Sequence, residues 1–177
     1  MKNISQKFIL TNAVLIKRGG MSMSNVGVIL WKNRRLLVLA RITDEYVDNG
    51  FSLIKVKDIV SIASLQGDER LRTAVNKFGL RLKSLPASLA ATESIREFVS
   101  RIPSNYPVAI HQEHLLPNEC EVGFIICTTK RSLTMECLSI NGESNGTQSI
   151  AFSDITKIDF LGRYETIVCS IRQTLQK

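Results

Sequence analysis

VGVILWKNRRLLVLARITDEYVDNGFSLIKVKDIVSIASLQGDE, residues 26–69, and VGFIICTTKRSLTMECLSINGESNGTQSIAFSDITKIDFLGRYE, residues 122–165, are the stretches that decide how this chain folds. A shift of 96 residues lays the first on the second without a gap. Identities fall at Val26/Val122, Gly27/Gly123, Ile29/Ile125, Arg35/Arg131, Leu37/Leu133 and Asn49/Asn145. They continue through Gly50/Gly146, Ile54/Ile150, Asp58/Asp154, Ile59/Ile155, Ile62/Ile158, Leu65/Leu161 and Glu69/Glu165. Turn residues and apolar positions recur in one register, so the chain reads as a strand-rich unit of roughly seventy residues written twice.

Within each copy the residues spell out short strands. Val26–Trp31 and Leu36–Ile42 are apolar runs on either side of Lys32-Asn33-Arg34-Arg35, which predicts a tight hairpin. Asn49-Gly50 and Asn145-Gly146 tolerate positive φ and predict the next turns. Asp58 and Asp154 each precede an Ile-x-x-Ile, where a carboxylate can accept from nearby amides and hold a turn into the last strand. Phe8–Ile16 and Tyr106–Gln112 predict the strand that enters each unit, and the Gly/Ser-rich segment 19–25 predicts a loop in the first. A helix is predicted after each copy, from Leu71, Ala74, Val75 and Phe78, and from Tyr164, Ile167, Val168, Ile171 and Leu175. Between the copies, Ser94 and Glu97 form a capping box ahead of Phe98, Val99 and Ile102. The expected fold is mainly β with helices (α+β), a tandem duplication of a small bent barrel. The units are 1–83 and 105–177, each followed by an amphipathic helix, with a helical connector at 84–104.

This order of strand, basic hairpin, strand, turn, strand and Asp-Ile turn resembles the strongly bent small barrels of the Sm-like and SH3-like class. It also resembles a group of uncharacterised bacterial proteins with two such repeats, whose second unit ends in a stretch similar to Phe160-Leu-Gly-Arg-Tyr-Glu165 before a final helix. The first Sm motif is matched in part by Val28, Leu30, Lys32, Asn33 and Asp44. Val38 stands at its glycine and Asp48 at its asparagine, and the Ile-Arg-Gly stretch of the second motif is absent. The resemblance therefore implies a fold and no particular activity.

Charge separates the two copies where the scaffold does not. Residues 1–80 carry 13 Lys/Arg against 6 Asp/Glu, and residues 81–177 carry 10 against 10, so the whole excess of +7 lies in the first half. Such an imbalance favours an anionic partner. Trp31, Lys32, Arg34 and Arg35 place a ring and three cations on one hairpin, with Arg41 extending the patch and Lys130 and Arg131 in the second copy. Nucleic-acid binding by stacking and phosphate contact is one expectation. The other, ranked ahead of it, is a non-catalytic interaction or accessory protein that binds a protein partner or itself through exposed strand edges.

Enzymatic chemistry finds no framework here. His111 and His114 flank Glu113 without a phosphate loop or a nucleophile elbow. Cys120, Cys127, Cys137 and Cys169 include no C-x-x-C pair, so they read as buried free thiols, with no metal or cofactor expected. Lys17-Arg18 interrupt the apolar start, no cleavage site follows, and nothing reaches the ~20 apolar residues of a membrane span. The expected setting is the cytoplasm, with no membrane partner.

Overall fold

The computed structural model describes residues 3–19, 24–117 and 119–175. Residues 20–23 of the expected Gly/Ser loop, and the side chain of Leu175, fall outside that set. The elements are α1 (Gln6–Asn12), β1 (Ala13–Arg18), β2 (Asn25–Lys32), β3 (Leu36–Ile42), β4 (Asp48–Lys55), β5 (Ile59–Ser64) and α2 (Glu69–Asn76). They continue as α3 (Ile95–Arg101), β6 (Val108–His111), β7 (Glu121–Thr128), β8 (Ser132–Leu138), β9 (Ser144–Ala151), β10 (Lys157–Phe160) and α4 (Arg163–Leu175). The protein is mainly β with helices, and the ten strands form one open antiparallel sheet in the order β5-β1-β2-β3-β4-β10-β6-β7-β8-β9.

Bounds and irregularities repeat at the 96-residue spacing: β2 with β7, β3 with β8, and β4 with β9. The register slips between Ile29 and Trp31 and again between Ile125 and Cys127, a bulge at the same place in each pair. Gly27 and Gly123 are explained by close approach. A Cβ on Gly27 would lie 2.2 Å from the Ala40 carbonyl oxygen, and one on Gly123 would lie 1.8 Å from that of Glu136. Only glycine lets these strands pass.

The hairpin over Lys32–Arg35 forms as predicted. The Asn33 amide oxygen accepts from the backbone N–H of Arg35 and Leu36, both at 2.8 Å, and its NH₂ donates to the Thr92 carbonyl at 2.9 Å. The Asn-Gly pairs are not the turns expected of them. Those turns lie earlier, closed by Thr43 N–H to Val47 O and by Ser139 N–H to Glu143 O. Asn49, Gly50, Asn145 and Gly146 sit inside β4 and β9, with φ of 72° at Gly50 and 84° at Gly146. The positive φ serves bulges opposite β3 and β8, where the register shifts between Ala40 and Ile42 and between Glu136 and Leu138.

Asp58 and Asp154 do lie in the turns before the last strands, but among the described residues no backbone amide donates to either carboxylate. Asp58 faces His114 at 3.5 Å, and Asp154 takes the Ser153 hydroxyl at 2.8 Å.

Phe8–Ile16 is also corrected. Ser5 caps a helix through the Phe8 amide, so Gln6–Asn12 coils and the strand begins at Ala13. Two short apolar runs, Phe8–Leu10 and Ala13–Ile16, split by Thr11-Asn12, carry too little periodicity to separate helix from strand. The capping box at Ser94 forms, its hydroxyl accepting from Glu97 N–H at 3.1 Å while Glu97 accepts from Glu93 N–H at 2.7 Å. In α2 Leu71, Ala74 and Val75 are buried, whereas Phe78 lies beyond the helix and is 82% exposed. In α4, among the described side chains of the predicted apolar stripe, Val168 is buried and Tyr164, Ile167 and Ile171 face outward.

The main core draws on both halves of the sheet. Phe51 of β4 and Phe160 of β10 are cross-strand partners stacked at 5.3 Å, and Phe98 of α3 meets Phe160 edge-on at 5.4 Å. These three rings fill the place where the halves of the sheet join, an arrangement that aromatic quadrupoles favour.

Candidate functional site

Three features could carry function: the free edges of the sheet, the junction at its middle, and a basic cleft over one end of that junction. The edges are β5 and β9, the terminal strands of the order. Neither Ile-Val-Ser-Ile-Ala-Ser of β5 nor Ser-Asn-Gly-Thr-Gln-Ser-Ile-Ala of β9 holds a charged residue or a proline. Soluble proteins usually blunt a free edge with such residues, because unpaired backbone groups otherwise recruit another strand. On β5, Val60 is 71% and Ile62 37% exposed, while Ile158, 96 residues further on and paired from both sides, is 0% exposed.

The junction is a buried charge network. Arg41 on β3 reaches Asp159 on β10 at 2.9 Å and Glu165 on α4 at 3.1 Å. Asp159 also holds Lys157 at 2.8 Å, His111 Nε2 at 3.0 Å and the Ser52 hydroxyl. Burial alone would raise the Asp159 carboxyl, but Lys157 and then Arg41 outweigh it and hold the group well below the usual carboxylate range. Glu165 goes the other way: burial raises it, and Arg41 only tempers the rise. Nearby, Arg18 and Glu113 form a second buried pair; burial would raise Glu113, and the Arg18 guanidinium brings it down. Arg41 comes from β3 and Ser52 from β4, Lys157 and Asp159 from β10, and His111 from β6. The network is a polar seam between halves, with its charges matched in place.

The cleft encloses about 610 Å³, within the usual range for a small-molecule site. Six cations line it: Arg34 and Arg35 from the β2–β3 hairpin, Lys55 from the end of β4, Lys57 from the turn that follows, Arg96 from α3, and Lys130 from the β7–β8 hairpin. Among the described residues no carboxylate lines it, and its apolar part is Leu36, Ile95 and Phe152. Local geometry brings these segments together. Leu36 pairs with Lys55 across β3 and β4, which sets the hairpin against the following turn, and Asn33 ties the hairpin to the connector. The Lys55 ammonium donates to the carbonyls of Phe152 at 3.0 Å and Ser153 at 2.7 Å, fixing the far wall. Burial, and then the neighbouring Lys57 charge, lower the Lys55 pKa.

Of the residues expected to bind nucleic acid, Arg34, Arg35 and Lys130 meet in this cleft, while Lys32 and Arg131 are exposed outside its lining. Trp31 is half-buried against the core with its indole Nε1 shielded from water, so its ring is a packing group and not a stacking platform. Arg41 is engaged in the buried network and is not free to meet a phosphate. Lys55 and Lys57 were readable in principle, since a hairpin pairing with β4 must place its tip beside the next turn. Arg96 and Phe152 carry no such sequence signal.

His111 is held by Asp159, and among the described residues no group of three His, Cys, Asp or Glu is placed to hold a metal. All four cysteines are free; Cys127 is exposed, against the expectation of burial, because it faces outward beside the bulge of β7. Burial, with help from Asp159, pushes the Cys120 thiol up to about 11. Among the described residues no helix is long and apolar enough to cross a membrane. Compared with protein-family models, curated proteins and solved structures, the chain gives no significant match.

Proposed function

We propose that the chain is a non-catalytic interaction protein, a tandem duplication of a small bent barrel of the Sm-like or SH3-like kind, which self-associates head to tail. One observation carries the reading. Inside the chain, β4 of the first copy pairs antiparallel with β10 of the second, Lys157 opposite Ile54 through Phe160 opposite Phe51. The strands 96 residues away from these two are β9 and β5, and both are the free, uncharged edges of the sheet. Repeating the internal junction between molecules sets Ser61 opposite Ile150, Ile62 opposite Ser149, Ala63 opposite Gln148 and Ser64 opposite Thr147. Each copy then offers one edge and accepts another, a heterologous contact that closes as a ring or extends as a filament. The pairing would cover Ile62 as Ile158 is covered. Strand bounds, bulges and strand order recurring at one spacing support the duplication. Four free thiols support a reducing, cytoplasmic setting.

Light scattering over a range of concentrations tests this, with species heavier than the 19.8 kDa chain expected and Ala63→Lys with Gln148→Lys reducing them to it. In a Cys127→Ser background, Ala63→Cys with Gln148→Cys is expected to give a ladder of disulfide-linked multiples, since facing strand residues lie within about 4.5–5.5 Å. A single 19.8 kDa species at every concentration, with no ladder, refutes the assembly.

A further inference from the structure

The basic cleft has a shape and a chemistry that strand-edge pairing does not use. Lys55 is engaged with two backbone carbonyls, so it stiffens the wall and leaves Arg34, Arg35, Lys57, Arg96 and Lys130 for a ligand. Among the described residues none of these five takes part in an ion pair. Four of the five reach the cleft from two separate hairpins and the connector helix, and Lys57 from a turn. Among the described residues no carboxylate lines the cleft; Asp58 and Asp154 act on Lys55 from outside the lining. Cations held this way repel one another, and an anion relieves the repulsion.

An inorganic anion alone would not match the other half of the surface. Leu36 and Ile95 are buried apolar side chains at the base of the cleft, and Phe152 is half-buried beside them. A volume of about 610 Å³ is also several times what a phosphate group occupies. A ligand that is anionic at one end and flat and apolar at the other uses both halves, as bases stack on aromatic faces while cations hold phosphates.

We propose that this cleft binds a nucleotide unit, its phosphates held by Arg34, Arg35, Lys57, Arg96 and Lys130 and its base laid on Phe152. Two sources supply such a unit, a free nucleotide and a single-stranded nucleic acid, and the probes separate them. The site is independent of the assembly reading, because neither edge strand lines it.

Fluorescence anisotropy of the full chain with a short fluorescein-labelled single-stranded RNA, and with a fluorescent ATP analogue, is the test. Binding of the RNA is expected to weaken about 50-fold between about 50 and 200 mM salt, for about four phosphate contacts on a single strand. Arg96→Ala with Lys130→Ala is expected to weaken it about tenfold or more. Phe152→Leu keeps the apolar packing and removes the ring, with an expected loss of about 5- to 150-fold. Binding of both probes assigns the site to free nucleotides as well, and binding of RNA alone assigns it to single strands. Tripolyphosphate competing as well as ATP, or Phe152→Leu binding unchanged, overturns the nucleotide assignment. No binding of either probe at about 50 mM salt overturns the site altogether.

Discussion

Replacing Arg41 by Met tests whether the junction network holds the two halves of the sheet together. Met keeps a long apolar side chain and removes the guanidinium, so the change isolates the charge. Arg41 faces two buried carboxylates, Asp159 at 2.9 Å and Glu165 at 3.1 Å. Removing one partner from a buried ion pair typically costs about 3–5 kcal/mol, because the other charge stays behind in a poor solvent. Asp159 retains Lys157 at 2.8 Å and His111 at 3.0 Å, so the group left most exposed to that penalty is Glu165. The expected loss is therefore at the low end, about 3 kcal/mol near neutral pH. In a chain of 177 residues that lowers Tm by roughly 6–12 °C.

The sign of the pH effect follows from Glu165. Its folded pKa already lies above the usual value because of burial, and loss of Arg41 raises it further. A raised carboxyl means that the folded state binds more protons than the unfolded one, so stability falls as pH rises through the shifted pKa and recovers below it. The Arg41→Met penalty is thus expected to be smaller at about pH 5 than at about pH 8. Asp159 has the opposite sign: its stabilisation is present above the ordinary carboxylate range and is lost only as pH falls toward its lowered folded pKa. Urea denaturation followed by Trp31, the sole tryptophan and half-buried in the core, reads the change at matched protein concentration. Arg70→Met on the exposed face of α2 is the control, expected within about 0.5 kcal/mol of the parent. A loss below about 1 kcal/mol for Arg41→Met, or an equal loss at both pH values, would refute the assignment of the network as a structural seam.

Two further expectations follow from the packing. Gly123→Ala drives a Cβ to 1.8 Å from the Glu136 carbonyl, and is expected to cost about 3 kcal/mol or prevent folding, read by the same denaturation; a neutral Gly123→Ala would mean that β7 and β8 can separate without penalty. Exposed Cys127 is expected to react with a colorimetric disulfide reagent at once, whereas buried Cys137, its thiol pushed up to about 11, reacts only on unfolding; one fast phase for both would contradict the placement of β8.

Local chemistry was legible wherever a residue type answers to its own backbone. Asn33 in its turn and Ser94 ahead of α3 follow from what those side chains can do within a few residues, whereas the close approach at Gly27 and Gly123 is to the facing strand, at Ala40 and Glu136. The Asn-Gly pairs mislead for a related reason. Positive φ is what they supply, but a strand bulge needs it as much as a hairpin turn does. Phe8–Ile16 misleads because a short apolar run fits both helix and strand until its neighbours are known.

What the sequence determined alone is the repeated register: the apolar and glycine positions that recur 96 residues apart. What only the tertiary structure decided is the use made of the ends. The joining of β4 to β10 is backbone pairing between segments about a hundred residues apart, and main-chain hydrogen bonds carry no side-chain signature. That one pairing carries Arg41, Lys157 and Asp159 into the interior, although a charged residue in a strand reads as a surface residue when its neighbours are unknown. It also sets Arg96 and Lys130 beside Arg34, and it leaves β5 and β9 as the two edges without a neighbour.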